Sequence, residues 1–277
     1  MERCEDTLLS IVIPAYGRSS LLERAIQSVL SCTGSHLVEI LVVDDCSPEP
    51  VQCVSLRDQD RIIRLAENKG AAYCRNVGIE QAHSDVISFL DSDDYYIKRN
   101  FYDDARLANE NVNTLYFFSI YSQLFESEYP DVVCVGQFFE SIFYKHPHIG
   151  QTSSLMFNRR SLHKFDEKLP KHQDWDFFYR FLVEVGPAKK GNGTVYFDRS
   201  DQSSLSRKFS PDKSYPWFRK LVDRGVDDLS YINYHLFCLS PVEYPWGRFF
   251  KTSIQLIFNG HLKPVKFLKY FIRKVLA

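Results

Sequence analysis

Val86-Ile87-Ser88-Phe89-Leu90-Asp91-Ser92-Asp93-Asp94 is the stretch whose reading decides the fold. A short apolar run with the look of a buried strand ends in three carboxylates within four residues. Like charges delivered to the end of a buried strand are costly unless a cation is shared there. For clustered oxygen ligands that cation is a hard divalent ion, Mg²⁺ or Mn²⁺, of the kind often held jointly with substrate phosphates. The expectation is therefore a metal–diphosphate site at the cluster Asp91, Asp93 and Asp94. The plainer alternative is a solvated acidic turn. A calcium loop starting at Asp91 is excluded, because it needs Gly at its sixth position and Glu at its twelfth, where Tyr96 and Tyr102 stand.

Outward from this stretch the pattern repeats. Leu8 to Ile13 reads as a buried strand stopped by Pro14 and followed by Ala15 and Tyr16. Leu21 to Leu30 has helical spacing, with Ser19 or Ser20 as a candidate N-cap. Val38 to Val43 is a second strand and runs straight into Asp44 and Asp45. Arg61 to Leu65 is a weaker third strand. Asn68-Lys69-Gly70 breaks the chain before a helix from Ala71 to about Ala82. Such alternation implies an α/β fold with a mostly parallel central sheet flanked by helices. Ligands of such sheets bind beyond the carboxyl ends of the strands. Three polar motifs follow strand ends and would converge on one sheet edge.

The second half is less regular. Phe101 to Asn109 reads as a helix, and the aromatic stretch Val112 to Phe125 as a strand or strand pair. Gly150 to Phe157 reads as a strand, Phe177 to Val185 as an amphipathic helix, Val195 to Phe197 as an edge strand, and Ser203 to Lys208 as a loop. From about Ser214 the pattern is helical to the end, with breaks. The expected organisation is a first domain over 1–205, divided into 1–105 and 106–205, and a helical extension over 206–277.

Composition narrows the function. The 277 residues carry a formal net charge of −1, which argues against a general nucleic-acid binder. The charge is uneven. After Glu243 there is no acid, and Arg248, Lys251, Lys263, Lys266, Lys269, Arg273 and Lys274 are seven bases, which leaves 27 bases against 35 acids before them. Residues 261–277 place Leu262, Val265, Leu268, Phe271, Ile272, Val275 and Leu276 at helical spacing with the bases between them. That is a lipid-surface signature, and equally the pattern of a helix docked on a core with its lysines in water. Seven scattered cysteines, with no CxxC pair, indicate reduced thiols. The charged N-terminus gives no sign of a secretory leader, and no apolar run is long enough to span a bilayer. A cytoplasmic protein, or one peripheral on the inner membrane face, is expected.

Several residues are candidates for chemistry. Asp44 and Asp45 can accept hydrogen bonds from a base or ribose, or can cap a turn. Lys69 and Arg75, beside Asn68 and Gly70, bring cations toward the same edge. No GxGxxG or GxxxxGK[ST] supports a Rossmann site or a P-loop. Asp174, between Gln173 and Trp175, is a candidate base whose pKa desolvation would raise; its plain reading is a first-turn helix residue. Asp176 has the stronger claim to a helix-end role. No Ser-His-Asp, Cys-His or zinc spacing is present.

Taken together these motifs resemble the family 2 glycosyltransferases of GT-A fold, over roughly residues 8 to 185. The matching stretches are Ser10 to Tyr16, Val42 to Ser47, Asn68-Lys69-Gly70 with Arg75 to Ile79, Phe89 to Asp94, Ser153 to Met156, and Gln173 to Phe177. The chain departs from the family pattern at Gly17, where Asn is usual, and at Gln173, where Glu is usual. The resemblance implies inverting transfer of one sugar from a nucleotide sugar, most often a UDP-sugar. The acceptor would be a glycan or lipid-linked hydroxyl, in surface polysaccharide or lipopolysaccharide assembly. It implies that Pro14, Ala15, Tyr16 and Asp45 hold the base, Asp91 and Ser92 the ribose side, Asp93 the metal with Asp94 sharing it, and Lys69 the diphosphate. Asp174 would be the base, with Gln173 and Trp175 on the acceptor side. The processive QxxRW signature is absent. A non-catalytic sugar-nucleotide-binding or membrane-associated scaffold is the alternative of a different class, and a sugar nucleotidyltransferase the enzymatic one.

Overall fold

The computed structural model describes residues 7–33, 37–98, 101–122, 125–126, 129–146, 148–198, 211–224, 246–258 and 264–275. Apolar runs become buried strands: β1 Leu9–Ala15, buried except at half-buried Pro14, β2 Val38–Asp44 and β4 Val86–Phe89, with β3 Arg61–Arg64 half-buried between β2 and β4 in sequence. The helices between them are α1 Ser19–Thr33 and α2 Ala71–Gln81. Ser19 and Ser20 fall inside the first turn of α1. Arg18, at φ 55°, closes that turn through its carbonyl, which accepts from the backbone of Leu21 and Leu22. After β4 the chain forms β5 Tyr95–Lys98, α3 Phe101–Glu110, β6 Leu115–Ser122, β7 Phe125–Glu126, β8 Val132–Val133, β9 Leu155–Asn158, α4 Gln173–Glu184 and β10 Ala188–Tyr196.

The strands order as β3-β2-β1-β4-β9-β6-β10-β5, with β7 on β6 and β8 on β10. Neighbours from β3 to β4, and β6 with β10, are parallel; β4–β9, β9–β6 and β10–β5 are antiparallel. The sheet is thus mixed: parallel in its first half, as the strand–helix alternation implied, and largely antiparallel in its second. Alternation along the strands sets two faces. Ile11 and Ile13 pack with Leu22, Ile26 and Val29 of α1 and with Phe101 and Ala105 of α3. On the other face Phe89 meets Phe157, Phe165 and Phe177 at ring-centroid distances of 5.2–6.1 Å.

Val12 points to that second face and meets Gly78 of α2. A Cβ at Gly78 would collide with both Val12 methyls. Gly78→Ala is therefore expected to destabilise the fold by roughly 1–3 kcal/mol, read as a drop of several degrees in thermal unfolding.

Two readings change, and one strand had none. Val195 to Phe197 does not form an edge strand. Val195 and Tyr196 instead close β10, nine residues long and internal between β6 and β5. The Lys189-Lys190-Gly191-Asn192-Gly193 run concealed it, and the glycines are there because a Cβ at Gly191 or Gly193 would press on Phe118. The strand expected from Gly150 starts only at Leu155, after a 3₁₀ turn at Thr152–Ser154. β5, directly after the acidic turn, had no signal at all. The loop expected at Ser203 to Lys208, and residues 225–245 of the expected helical run, lie outside the described residues.

The chain divides into two compact units. The first is 1–138, 146–167 and 173–202; the second is 139–145, 168–172 and 203–277. Within the second unit, α5 Pro211–Asp223 buries Trp217, Phe218 and Leu221, and the His172 ring lies tilted at 40° with its centroid 5.4 Å from that of Trp217 and its Nε2 2.9 Å from Ser214 Oγ. α6 Trp246–Phe258 and α7 Pro264–Val275 meet through Phe250, whose ring centroid is 6.3 Å from that of Phe267 and 6.0 Å from that of Phe271.

Candidate active site

The acidic turn lies where β4 ends, and the fold holds it from several sides. Asp94 is buried and points inward: its carboxylate accepts from Ser153 Oγ at 2.6 Å and from the Asp198 backbone at 3.1 Å. Burial, with Asp91 and Asp93 nearby, pushes its pKa well above the ordinary carboxylate value. Ser153 Oγ also accepts from the Asp91 amide at 3.0 Å. Arg24 of α1 donates to the Asp93 carbonyl at 2.6 Å and to Asp198 at 2.7 Å. Asp91, Ser92 and Asp93 keep partial solvent access. Of the two residues expected to hold the metal, Asp94 is buried and hydrogen-bonded within the fold and Asp93 is the more accessible. Arg18 stands 3.7 Å from Asp93 Oδ2.

Asp91 connects the turn to the base candidate. Arg75 on α2 donates from Nη2 to Asp91 Oδ1 at 2.5 Å, and its Nη1 lies 3.5 Å from Gln173 Oε1. The guanidinium is buried, sits 5.3 Å over the Phe165 ring, and leaves Nε without a hydrogen-bond partner. Asp174 follows Gln173 at the start of α4 and accepts from the Trp175 amide at 2.9 Å. It is partly exposed within dense surroundings. Desolvation raises its pKa to about 6, against the lowering effects of the Trp175 hydrogen bond and Arg75. Asp176, one turn from Arg180, pairs with it at 2.7 Å and serves the helix. Asp91, Arg75, Gln173 and Asp174 thus form one continuous arrangement.

The nucleotide-side candidates divide. Asp44 is buried and faces the fold: it accepts from the Ser47 amide at 2.9 Å, from Ser47 Oγ, and from Arg64 at 2.6 Å. Burial alone would raise its pKa, but these donors leave it lowered. Its role is that of a turn and ion-pair anchor. Asp45 holds the next loop, accepting from the Lys69 and Gly70 amides at 2.7 and 2.9 Å, while its carbonyl accepts from Asn68. Gly70, at φ 88°, permits that turn. The Lys69 ammonium pairs with exposed Glu67 at 2.6 Å, rather than with the acidic turn. Ala15 is buried, with its carbonyl accepting from the Asp45 amide, Pro14 lies beside Val43 in register, and the Tyr16 ring is 53% exposed at the rim. Arg18, Arg24 and Asp198 gave no sequence signal of their own, and Ser153 was marked only as part of a matching stretch. Only tertiary placement brings them to the turn.

Among the described residues no three histidine, cysteine or carboxylate side chains form a ready-made metal cage. The donor set still fits a hard cation. It offers accessible carboxylate oxygen at Asp93, beside Asp91 and above a desolvated Asp94. A Mg²⁺-type ion uses one or two carboxylates and takes its other ligands from phosphate and water.

Comparison with known proteins identifies the family and the fold. The glycosyl transferase family 2 model matches residues 10–179. The putative colanic acid biosynthesis glycosyl transferase WcaA of Escherichia coli K12 is 28% identical over 84% of this chain and 87% of its own length. The Escherichia coli protein WfgD, a UDP-Glc:alpha-D-GlcNAc-diphosphoundecaprenol beta-1,3-glucosyltransferase, is 38% identical over 34% of this chain and 38% of its own. Several curated relatives are spanned over only 24–38% of their length. The fold is similar to that of S. aureus TarS 1-349 in complex with UDP-GlcNAc, at TM-score 0.58 and 16% identity, covering 90% of this chain and 80% of that one. The chain belongs to glycosyl transferase family 2.

Proposed function

We propose that this chain transfers a single sugar from a nucleotide sugar, a UDP-sugar first among candidates, to a hydroxyl of a glycan or lipid-linked acceptor, with inversion at the anomeric carbon. The observation that carries the reading is the Asp91–Arg75–Gln173–Asp174 arrangement, which sets a desolvated carboxylate beside the acidic turn. In this reading Tyr16 and Asp45 frame the base, and Asp91 and Ser92 the ribose side. Asp174 takes the acceptor hydroxyl proton. The acceptor oxygen then bonds to the anomeric carbon from one face as the bond to the diphosphate oxygen breaks on the other. The nucleoside diphosphate leaves with that electron pair. Asp93 would hold a divalent cation, and that cation, when bound, stabilises charge on the departing diphosphate. Arg18 adds a cation on that side.

The relatives' roles in teichuronic acid and colanic acid synthesis, as their names state them, support a role in surface polysaccharide synthesis. WfgD's acceptor, a diphosphoundecaprenol-linked sugar, supports a lipid-linked acceptor here. The intact Asp93 and Asp174 favour an enzyme over a scaffold. A donor screen tests the reading: purified chain with UDP-, GDP- and dTDP-sugars, with and without Mn²⁺. Metal-dependent release of one nucleoside diphosphate is expected. No release from any donor, under conditions where the chain is folded, would remove the transferase reading.

A further inference from the structure

The last two helices expose a large apolar surface within a strongly basic stretch. On α6, Phe250, Ile254 and Phe258 are 39%, 51% and 86% exposed, at i, i+4 and i+8. On α7, Val265, Leu268 and Ile272 are 79%, 55% and 47% exposed, at i, i+3 and i+7. Each set lies along one side of its helix. The helices are joined by Phe250, Phe267 and Phe271, so the two stripes belong to one paired element. Folded chains rarely leave so many large apolar side chains uncovered unless a partner takes them.

Charge identifies the partner. From residue 244 to the end there are seven bases and no acid. A second copy of this surface would bring like charge against like charge. An anionic surface with an apolar interior meets both requirements at once. Neither helix, at 13 and 12 residues, is long enough to cross a bilayer, and among the described residues no helix is.

We propose that α6 and α7 together form a monotopic docking surface for an anionic phospholipid bilayer. The apolar stripes enter the headgroup boundary and the bases engage lipid phosphates. This deepens the lipid-linked-acceptor reading, because it would bring the chain to the surface where such an acceptor is embedded. It also extends the candidate surface from the terminal helix to a helix pair.

The test uses the full chain and two kinds of vesicle, phosphatidylglycerol and phosphatidylcholine, in a sedimentation assay. Binding to phosphatidylglycerol is expected to exceed binding to phosphatidylcholine by on the order of 100-fold, and to weaken with added salt. Phe258→Asp with Val265→Asp changes two strongly exposed side chains. It is expected to reduce binding at least tenfold while UDP binding without vesicles is unchanged. Lys266→Gln with Lys269→Gln, a milder pair, is expected to lose the preference for phosphatidylglycerol. No sedimentation of the wild-type chain with phosphatidylglycerol overturns the proposal. So does undiminished binding by both variants, or a dimer in solution that the aspartate pair converts to monomer. Lipid binding without turnover of any nucleotide sugar in the donor screen would sink the transferase reading alone, and the reverse outcome would sink the docking surface alone.

Discussion

Asp174→Asn is expected to lower sugar transfer by about 10²–10⁴-fold, the usual contribution of a positioned general base, while nucleotide-sugar binding stays nearly intact. Asparagine keeps an oxygen for the Trp175 amide but takes up no proton. Steady-state kinetics beside calorimetric UDP binding check both halves; unaltered turnover would remove Asp174 as base. The wild-type pH profile should carry the same residue's signature. Only the ionised carboxylate accepts the proton, and its pKa is raised to about 6. Activity should therefore rise with pH through about 6 and level above it, and the variant's residual rate should lack that limb.

The same shift acts on stability, with opposite sign. A carboxylate whose pKa is higher folded than unfolded binds its proton more tightly in the native state. Its contribution is fully present below pH about 3.8 and is lost as pH rises through about 6. At neutral pH the ionised Asp174 thus weakens the fold, by up to roughly 2 kcal/mol after allowance for its partial solvent access. Asp174→Asn removes that term. Its thermal midpoint should exceed the wild type's at pH 7, and the difference should shrink toward pH 4.

Asp93→Ala is expected to weaken nucleoside diphosphate binding in Mn²⁺ by about 100-fold and to abolish the effect of adding or chelating the metal. UDP titrations with and without Mn²⁺ provide the measurement. A wild type indifferent to metal would overturn the metal–diphosphate reading of the turn. Asp94→Ala should behave differently. Asp94 is buried against Ser153 and the Asp198 amide, so its loss leaves donors without an acceptor and shows first in unfolding temperature.

The first half of the fold was legible because its strands are continuous apolar runs that end abruptly in polar motifs. β10 was not, because its interior is lysine, glycine and asparagine, and its pairing with β6 and β5 comes from tertiary context. The same divide runs through the site. Residue types at a strand end pointed to Asp91 and Asp93, and the start of a helix beside Trp175 pointed to Asp174. They could not tell which member of an adjacent pair faces inward. Asp94 is buried beside the more accessible Asp93, whereas Asp44 and Asp45 are both buried and differ only in the groups that donate to them. Lys69 shows a further limit: its backbone, rather than its ammonium, is what Asp45 uses.

The acidic turn is tied to α1 through Arg24, to α2 through Arg75, to the turn before β9 through Ser153, and to the chain after β10 through the Asp198 amide. Four separate tethers leave it little freedom to lose when a ligand arrives. Its amides should already be slow to exchange with deuterium in the unliganded protein, and should slow little further with UDP. The entropic cost of gripping a diphosphate is thereby met during folding. Discrimination among donors then falls on how well each fits a fixed surface, and a rigid diphosphate mimic shaped to it would bind with little conformational penalty.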